Sequence, residues 1–170
     1  MNKRSDAVAP TDYFIEPGYI LVAARPAVIS GVLGSCVSVC LYDRKRKVGG
    51  MNHFRYPFIG EKHRATAIYG NVSTLALIRM MIAEGSKPKH LEAQIIGGAH
   101  NPAASPKNIG RENVLMARKI LIRHRISVTS EDVGGEKGRK VVFNTRQNEI
   151  AVMKVENLRS GDWYPYDDNR

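Results

Sequence analysis

Two side chains of this 170-residue chain, Cys36 and His53, are of the types that form a nucleophile and its base. A thiol becomes an effective nucleophile when an adjacent imidazole takes its proton. Both lie in the stretch VLGSCVSVCLYDRKRKVGGMNH, residues 32–53. That stretch reads as a tight Gly-Ser turn, a strand, a basic hairpin loop and a return strand. Alternate residues of a strand share a face, so Cys36, Ser38 and Cys40 point one way and Val37, Val39 and Leu41 the other. With the loop over residues 44–47, Asp43 pairs with Val48, Ser38 falls opposite His53, and Met51, His53 and Arg55 share the face of Cys36. Cys36 and His53 are then diagonal neighbours, roughly 7–8 Å apart between backbones. A one-residue slip would send them to opposite faces, and Gly49-Gly50 is a place where a bulge could cause one.

The residues alone leave other readings open. Cys36 is also what a small buried strand residue looks like, and His53 what a satisfied core histidine looks like; Cys40 is read that way. Zinc is disfavoured, because Cys36 and Cys40 lie on one strand and His53 and His63 do not form a second close pair. If the Cys–His pair is real, the turn before Cys36 offers backbone N–H groups to an oxyanion. A third group should orient the histidine, and the Ser30 hydroxyl is the candidate.

These residues must be held by a body of ordinary composition. Apolar residues make up 43% and charged residues 25%, which fits one soluble domain with a core of its own. No apolar run reaches the ~18–20 residues of a membrane span. The opening MNKRSDAVAPTD does not read as a signal peptide, so the cytoplasm is the expected location. Two cysteines four positions apart do not make a disulfide framework and are expected as free thiols. The net charge of +10 implies either an anionic partner (nucleic acid, a membrane surface or an acidic protein) or simply a solvated basic surface.

In chain order, residues 1–12 are expected as a flexible arm, 13–156 as the domain and 157–170 as a tail that Trp163 could dock. YILVAA after the Pro17-Gly18 turn reads as a strand. The segment after His53 mixes Phe54, Tyr56, Phe58 and Tyr69 with Arg and Lys. It reads as a lid or rim beside the site in preference to a nucleic-acid platform. A helix is expected from Asn71 or Ser73 to Glu84, with Ser73 as its cap, Gly85 as its stop, and Met80 and Met81 in the core. A short buried strand over residues 91–96 ends in Gly97-Gly98-Ala99. A second helix over residues 109–125 is capped by Asn108 and faces inward with Val114, Ala117 and Leu121, widened by Leu115 and Ile122. Residues 126–129 read as a strand, 131–140 as a glycine-rich loop without phosphate-loop spacing, and 141–143 with 149–155 as a hairpin. This order of elements predicts an α+β layered domain with a mixed or antiparallel sheet.

The motifs EPGY (16–19), VLGSCVSVCLYD (32–43), VGGMNHF (48–54), YGNVSTLALIRMMIAEG (69–85), IIGGA (95–99), NIGRENV (108–114) and EDVGGEKGRKVVFNT (131–145) together resemble the CheD family of chemoreceptor glutamine deamidases. The resemblance implies a three-layer α/β/β fold similar to that of cysteine deamidase toxins such as cytotoxic necrotizing factor. It implies Cys36 as nucleophile and His53 as general base and then acid. Ser30 stands where family members often carry Thr, and keeps the hydroxyl without the methyl that fixes a threonine rotamer. The implied reaction converts glutamines of the chemoreceptor cytoplasmic domain to glutamate through a thioester, with no cofactor or metal. CheC, a response-regulator phosphatase, is the implied second partner. Neither nucleic acid nor membrane insertion is implied.

Overall fold

The computed structural model describes residues 9–156. Nine strands and two α-helices occur among them: β1 (Thr11–Phe14), β2 (Ile20–Ala23), β3 (Ala27–Leu33), β4 (Val37–Asp43), β5 (Val48–Asn52), α1 (Gly70–Ala83), β6 (Leu91–Gly97), α2 (Ile109–Arg123), β7 (Ser127–Val133), β8 (Gly138–Asn144) and β9 (Glu149–Val155). Five strands form one mixed sheet in the order β2-β5-β4-β6-β7, and four form a second in the order β1-β3-β8-β9. Each sheet contains one parallel pair, β6 with β7 and β1 with β3. No described helix is long and apolar enough to cross a membrane.

The alternation within β4 builds the layers. Val37, Val39 and Leu41 join Leu77, Ile78 and Met81 of α1 and Val114, Ala117 and Leu121 of α2 in one apolar cluster. Cys36 and Cys40, on the opposite face, join Ile29, Leu33, Val141 and Phe143 of the four-stranded sheet in another. The five-stranded sheet is therefore buried on both faces, with helices on one side and the second sheet on the other. Every residue of β4 and β5 is buried, as a central strand pair covered on both sides requires. At one end Arg139 of β8, 2% exposed, reaches across to β7 and donates to Asp132 Oδ1 from Nε at 3.0 Å and Nη2 at 2.9 Å.

The β4–β5 pairing has the expected register, Asp43 with Val48 through Cys40 with Met51. Gly49 and Gly50 host no bulge. They are small because a Cβ at Gly49 would come within 3.0 Å of Phe143 in the second sheet, and one at Gly50 within 3.0 Å of Leu77 in α1.

Several elements differ from their sequence expectation. Strand β1 begins at Thr11, inside the arm expected over 1–12; residues 1–8, and the tail 157–170 with Trp163, lie outside the described residues. Strand β3 is not expected from the sequence; its long partner β8 lies more than a hundred residues away, so no local pairing signal marks it. Helix α1 starts one turn earlier than its Ser73 cap predicts: Tyr69 is the N-cap, without a side-chain bond, and Ser73 is buried inside the helix. Gly85 does stop α1, at φ 99°. Asn108 does cap α2, accepting from the Arg111 N–H at 2.8 Å. Met80 of α1 is exposed, not core, while Met81 is buried; Leu115 and Ile122 are exposed because Gly110, Asn113 and Ile120 fill the inward stripe of α2. Strand β7 runs on to Val133, into the expected loop.

The start of α2 lies against the end of β6 backbone to backbone. A Cβ on Gly110 would run into the carbonyl oxygens of Gly98 and Ala99. Helix propensity alone predicts that Gly110→Ala stabilises by about 1 kcal/mol. We predict the opposite sign, a loss of at least about 2 kcal/mol in urea unfolding, because overpacking forces helix and turn apart.

Candidate active site

The hairpin register carries past the strand ends. Val37 and Phe54 exchange two backbone hydrogen bonds, each 3.0 Å, so the residues before them, Cys36 and His53, are fixed on neighbouring strands. Both side chains line a cleft of about 540 Å³, with Ser35 beside them, Ile15, Glu16 and Pro17 along one wall, and Arg55 and Ile68 also on its lining. Cys36 is 6% exposed and His53 1%, so the cleft is the way in to either group.

The turn EPGY holds His53 from the other side. The Gly18 N–H donates to the His53 carbonyl at 2.7 Å, and the His53 N–H donates to the Tyr19 carbonyl at 3.0 Å. The imidazole Nδ1 lies 3.1 Å from the Ile15 carbonyl oxygen. A carbonyl can only accept, so Nδ1 carries the hydrogen and Nε2 keeps its lone pair. Nε2 is buried and has no hydrogen-bond partner among the described residues. The histidine is thereby held in the tautomer a general base needs.

Ser30 is one step removed from this contact. Its Oγ donates to the Tyr13 carbonyl at 3.2 Å, and its carbonyl accepts the Ile15 N–H at 2.9 Å. The group on His53 is the Ile15 backbone, and Ser30 fastens the strand from which that carbonyl projects.

The Cys36 turn is held by its carbonyls. The Ala99 N–H donates to Gly34 O at 2.9 Å and the Gly98 N–H to Cys36 O at 2.8 Å. Asn113 Nδ2 donates to Ser35 O and to Arg55 O, both at 2.9 Å. Gly97, at φ 111°, brings β6 so close that a Cβ there would strike the Cys36 carbonyl. The Gly-Gly turn thus spends its amides on the Cys36 segment. Besides the Gly97-Gly98-Ala99 turn, Asn113 carries a sequence signal, a polar side chain on the inward stripe Gly110-Asn113-Val114-Ala117.

The aromatic segment after His53 divides. Phe54 is fully buried in the core, while Tyr56 and Phe58 are exposed. Arg55 and Ile68 border the cleft, which places the segment as its rim. Cys40 is a free buried thiol of the core between the sheets.

Burial sets the charge state. It pushes the Cys36 thiol up to about 11, with the Arg55 cation and the residue's own N–H pulling the other way. It drives His53 down to about 4, opposed by the Ile15 carbonyl. At neutral pH both groups are uncharged. Unfolded, His53 takes up a proton below its ordinary 6.5; folded, it does so only near 4, so stability falls as pH drops through that window. Between those limits wild type should lose about 3 kcal/mol more than His53→Gln, measured by urea unfolding at a series of pH values. Parallel curves for the two proteins would show that His53 titrates alike in the folded and unfolded chain.

The family profile described as CheD chemotactic sensory transduction matches residues 58–154. The chain is 36% identical over 146 residues to the probable chemoreceptor glutamine deamidase CheD of Sulfurimonas denitrificans, covering 84% of this chain and 94% of that protein. It is 41% identical over 144 residues to the protein of the same description from Trichlorobacter lovleyi, covering 82% and 88%. It is also 41% identical over 144 residues to probable chemoreceptor glutamine deamidase CheD 1 of Anaeromyxobacter dehalogenans, covering 84% of each. Among solved structures, the hypothetical protein YfiH of Bacillus licheniformis aligns with 66% of this chain and 49% of its own at 18% identity, with a TM-score of 0.46. With such relatives over most of its length and the family profile over residues 58–154, this chain belongs to the CheD family.

Proposed function

We propose that this protein is a glutamine deamidase acting on the cytoplasmic domain of chemoreceptors, as its relatives are named, through a Cys–His thiol mechanism. The observation that carries the reading is the pairing of Cys36 and His53 in one cleft, with His53 Nδ1–H committed to Ile15 and Nε2 left as a base.

The resting pair is neutral, so the thiol proton moves to Nε2 as sulfur attacks the glutamine carboxamide carbon. The oxyanion that forms is met by backbone N–H groups of the Ser35-Cys36 turn. The imidazolium gives its proton to the departing nitrogen, the C–N bond breaks, and ammonia leaves a Cys36 thioester. His53 then takes a proton from water, hydroxide adds to the thioester carbon, and the C–S bond breaks to give glutamate and the thiol. Ser30 contributes as third group through Ile15, by securing the strand that presents the carbonyl. The helix-over-sheet-over-sheet arrangement is also what kinship with cysteine deamidase toxins would require. CheC is the candidate regulatory partner in the same reading, and the cytoplasm, where receptor signalling helices lie, the place of action. A surface of net charge +10 favours encounter with acidic receptor helices, so raised salt should slow turnover on an intact receptor fragment.

Peptide mass analysis of a receptor cytoplasmic fragment tests the reaction. Wild type should convert selected glutamines to glutamate, Cys36→Ala none, and Ser30→Ala at a reduced rate. Peptide-bond cleavage, or turnover by Cys36→Ala, would sink the mechanism. The acid limb of kcat/KM should fall near pH 4 and not near 6.5, and the alkaline limb toward 11, because the neutral pair is the reactive form. An acid limb near 6.5 would mean that His53 is exposed to solvent in the working enzyme.

A further inference from the structure

A tetrahedral intermediate on Cys36 needs donors aimed at its oxygen before the reaction begins. A trans peptide unit points its N–H opposite its C=O, so whatever grips the carbonyl also aims the amide. The Ala99 N–H, 2.9 Å from Gly34 O, sets the peptide that carries the Ser35 N–H. Asn113 Nδ2, 2.9 Å from Ser35 O, sets the peptide that carries the Cys36 N–H. Among the described residues neither amide has a carbonyl partner, and the Cys36 N–H lies against its own thiol.

Asn113 is fully buried on the inward face of α2. Its amide donates twice, to the residue before the nucleophile and, at 2.9 Å, to the Arg55 carbonyl two residues after the base. Only a side chain with two hydrogens on one nitrogen can satisfy both carbonyls from that position. An apolar residue there would leave two buried acceptors unpaired, and a carboxylate would set oxygen against oxygen.

We propose that Asn113 is a positioning residue of the active site: reaching from α2 to the Ser35 and Arg55 carbonyls, its amide turns the Cys36 N–H into the cleft as an oxyanion donor. The proposal rests on the thiol chemistry assigned above but not on the identity of the natural substrate.

The test compares two reactions of Cys36 in the full-length protein, read by peptide mass. With p-nitrophenyl acetate, sulfur adds to the acetyl carbon through an oxyanion. The C–O bond then breaks, p-nitrophenolate leaves with the electron pair, and a Cys36 thioacetate remains, the thiol proton having passed to His53. With iodoacetamide, sulfur displaces iodide at a saturated carbon and no oxyanion forms. Asn113→Asp and Asn113→Ala should lower the ratio of acylation to alkylation about 100-fold. Leu121→Ala, which thins the same helix's core contact, should lower the melting temperature and leave the ratio unchanged. A ratio within about threefold of wild type in the Asn113 variants, including both rates falling together, would overturn the proposal. So would wild-type acylation no faster than that of the unfolded chain, a measurement that needs no variant. If the ratio falls as expected but wild type leaves receptor glutamines intact, the substrate assignment fails and the role of Asn113 stands.

Discussion

Two hydrogen bonds between Val37 and Phe54 hold the candidate active site together. They extend the β4–β5 register past the last ladder residue and set Cys36 and His53 on adjacent strands facing the same way. Strand pairing has a period of two, so no partial error is available: a slip of one residue would bury the imidazole among the helices and leave the thiol alone. The register is enforced from both faces. Phe143 packs on Gly49 from the second sheet and Leu77 on Gly50 from α1, and neither fit survives a shift.

The same hairpin explains why the sequence is readable where it is. Cys36, Cys40, Met51 and His53 alternate with Val37, Val39 and Leu41 over two adjacent strands joined by a short loop. Their arrangement is a local property, and period-two counting recovers it. Helix α2 likewise announces itself through the Asn108 cap. What counting could not recover depends on remote partners. Strand β3 carries no local mark of a strand, because its long partner β8 comes more than a hundred residues later. Ile15 contributes a backbone oxygen, which no side-chain pattern encodes. Asn113 left a trace as a polar residue on an apolar stripe, but its role belongs to two carbonyls elsewhere in the chain. Leu115 and Ile122 mislead in the other direction, since helical spacing groups them with the core while the packing leaves them in water.

Electrostatically the site differs from a pre-formed thiolate–imidazolium pair. Burial disfavours charge on sulfur and on nitrogen alike, and both groups rest neutral. In the proposed reaction, charge separation waits until a carbonyl arrives, when fixed backbone dipoles and the Arg55 cation would receive it. A neutral, buried thiol is also a poor target for oxidants and stray electrophiles, so selectivity and protection have one physical source.

The Ile15 carbonyl directly follows β1 of the four-stranded sheet, whereas Cys36 and His53 adjoin β4 and β5 of the five-stranded one. That division has a consequence for biosynthesis. Strand β1 is made before β3, yet β3 is secured on its other edge by β8, which emerges more than a hundred residues later. Until then the sheet that carries the Ile15 anchor lacks β8. In a nascent chain, Cys36 and His53 are therefore synthesised well before the sheet beside them is complete, and the candidate site is finished only when β8 has joined β3.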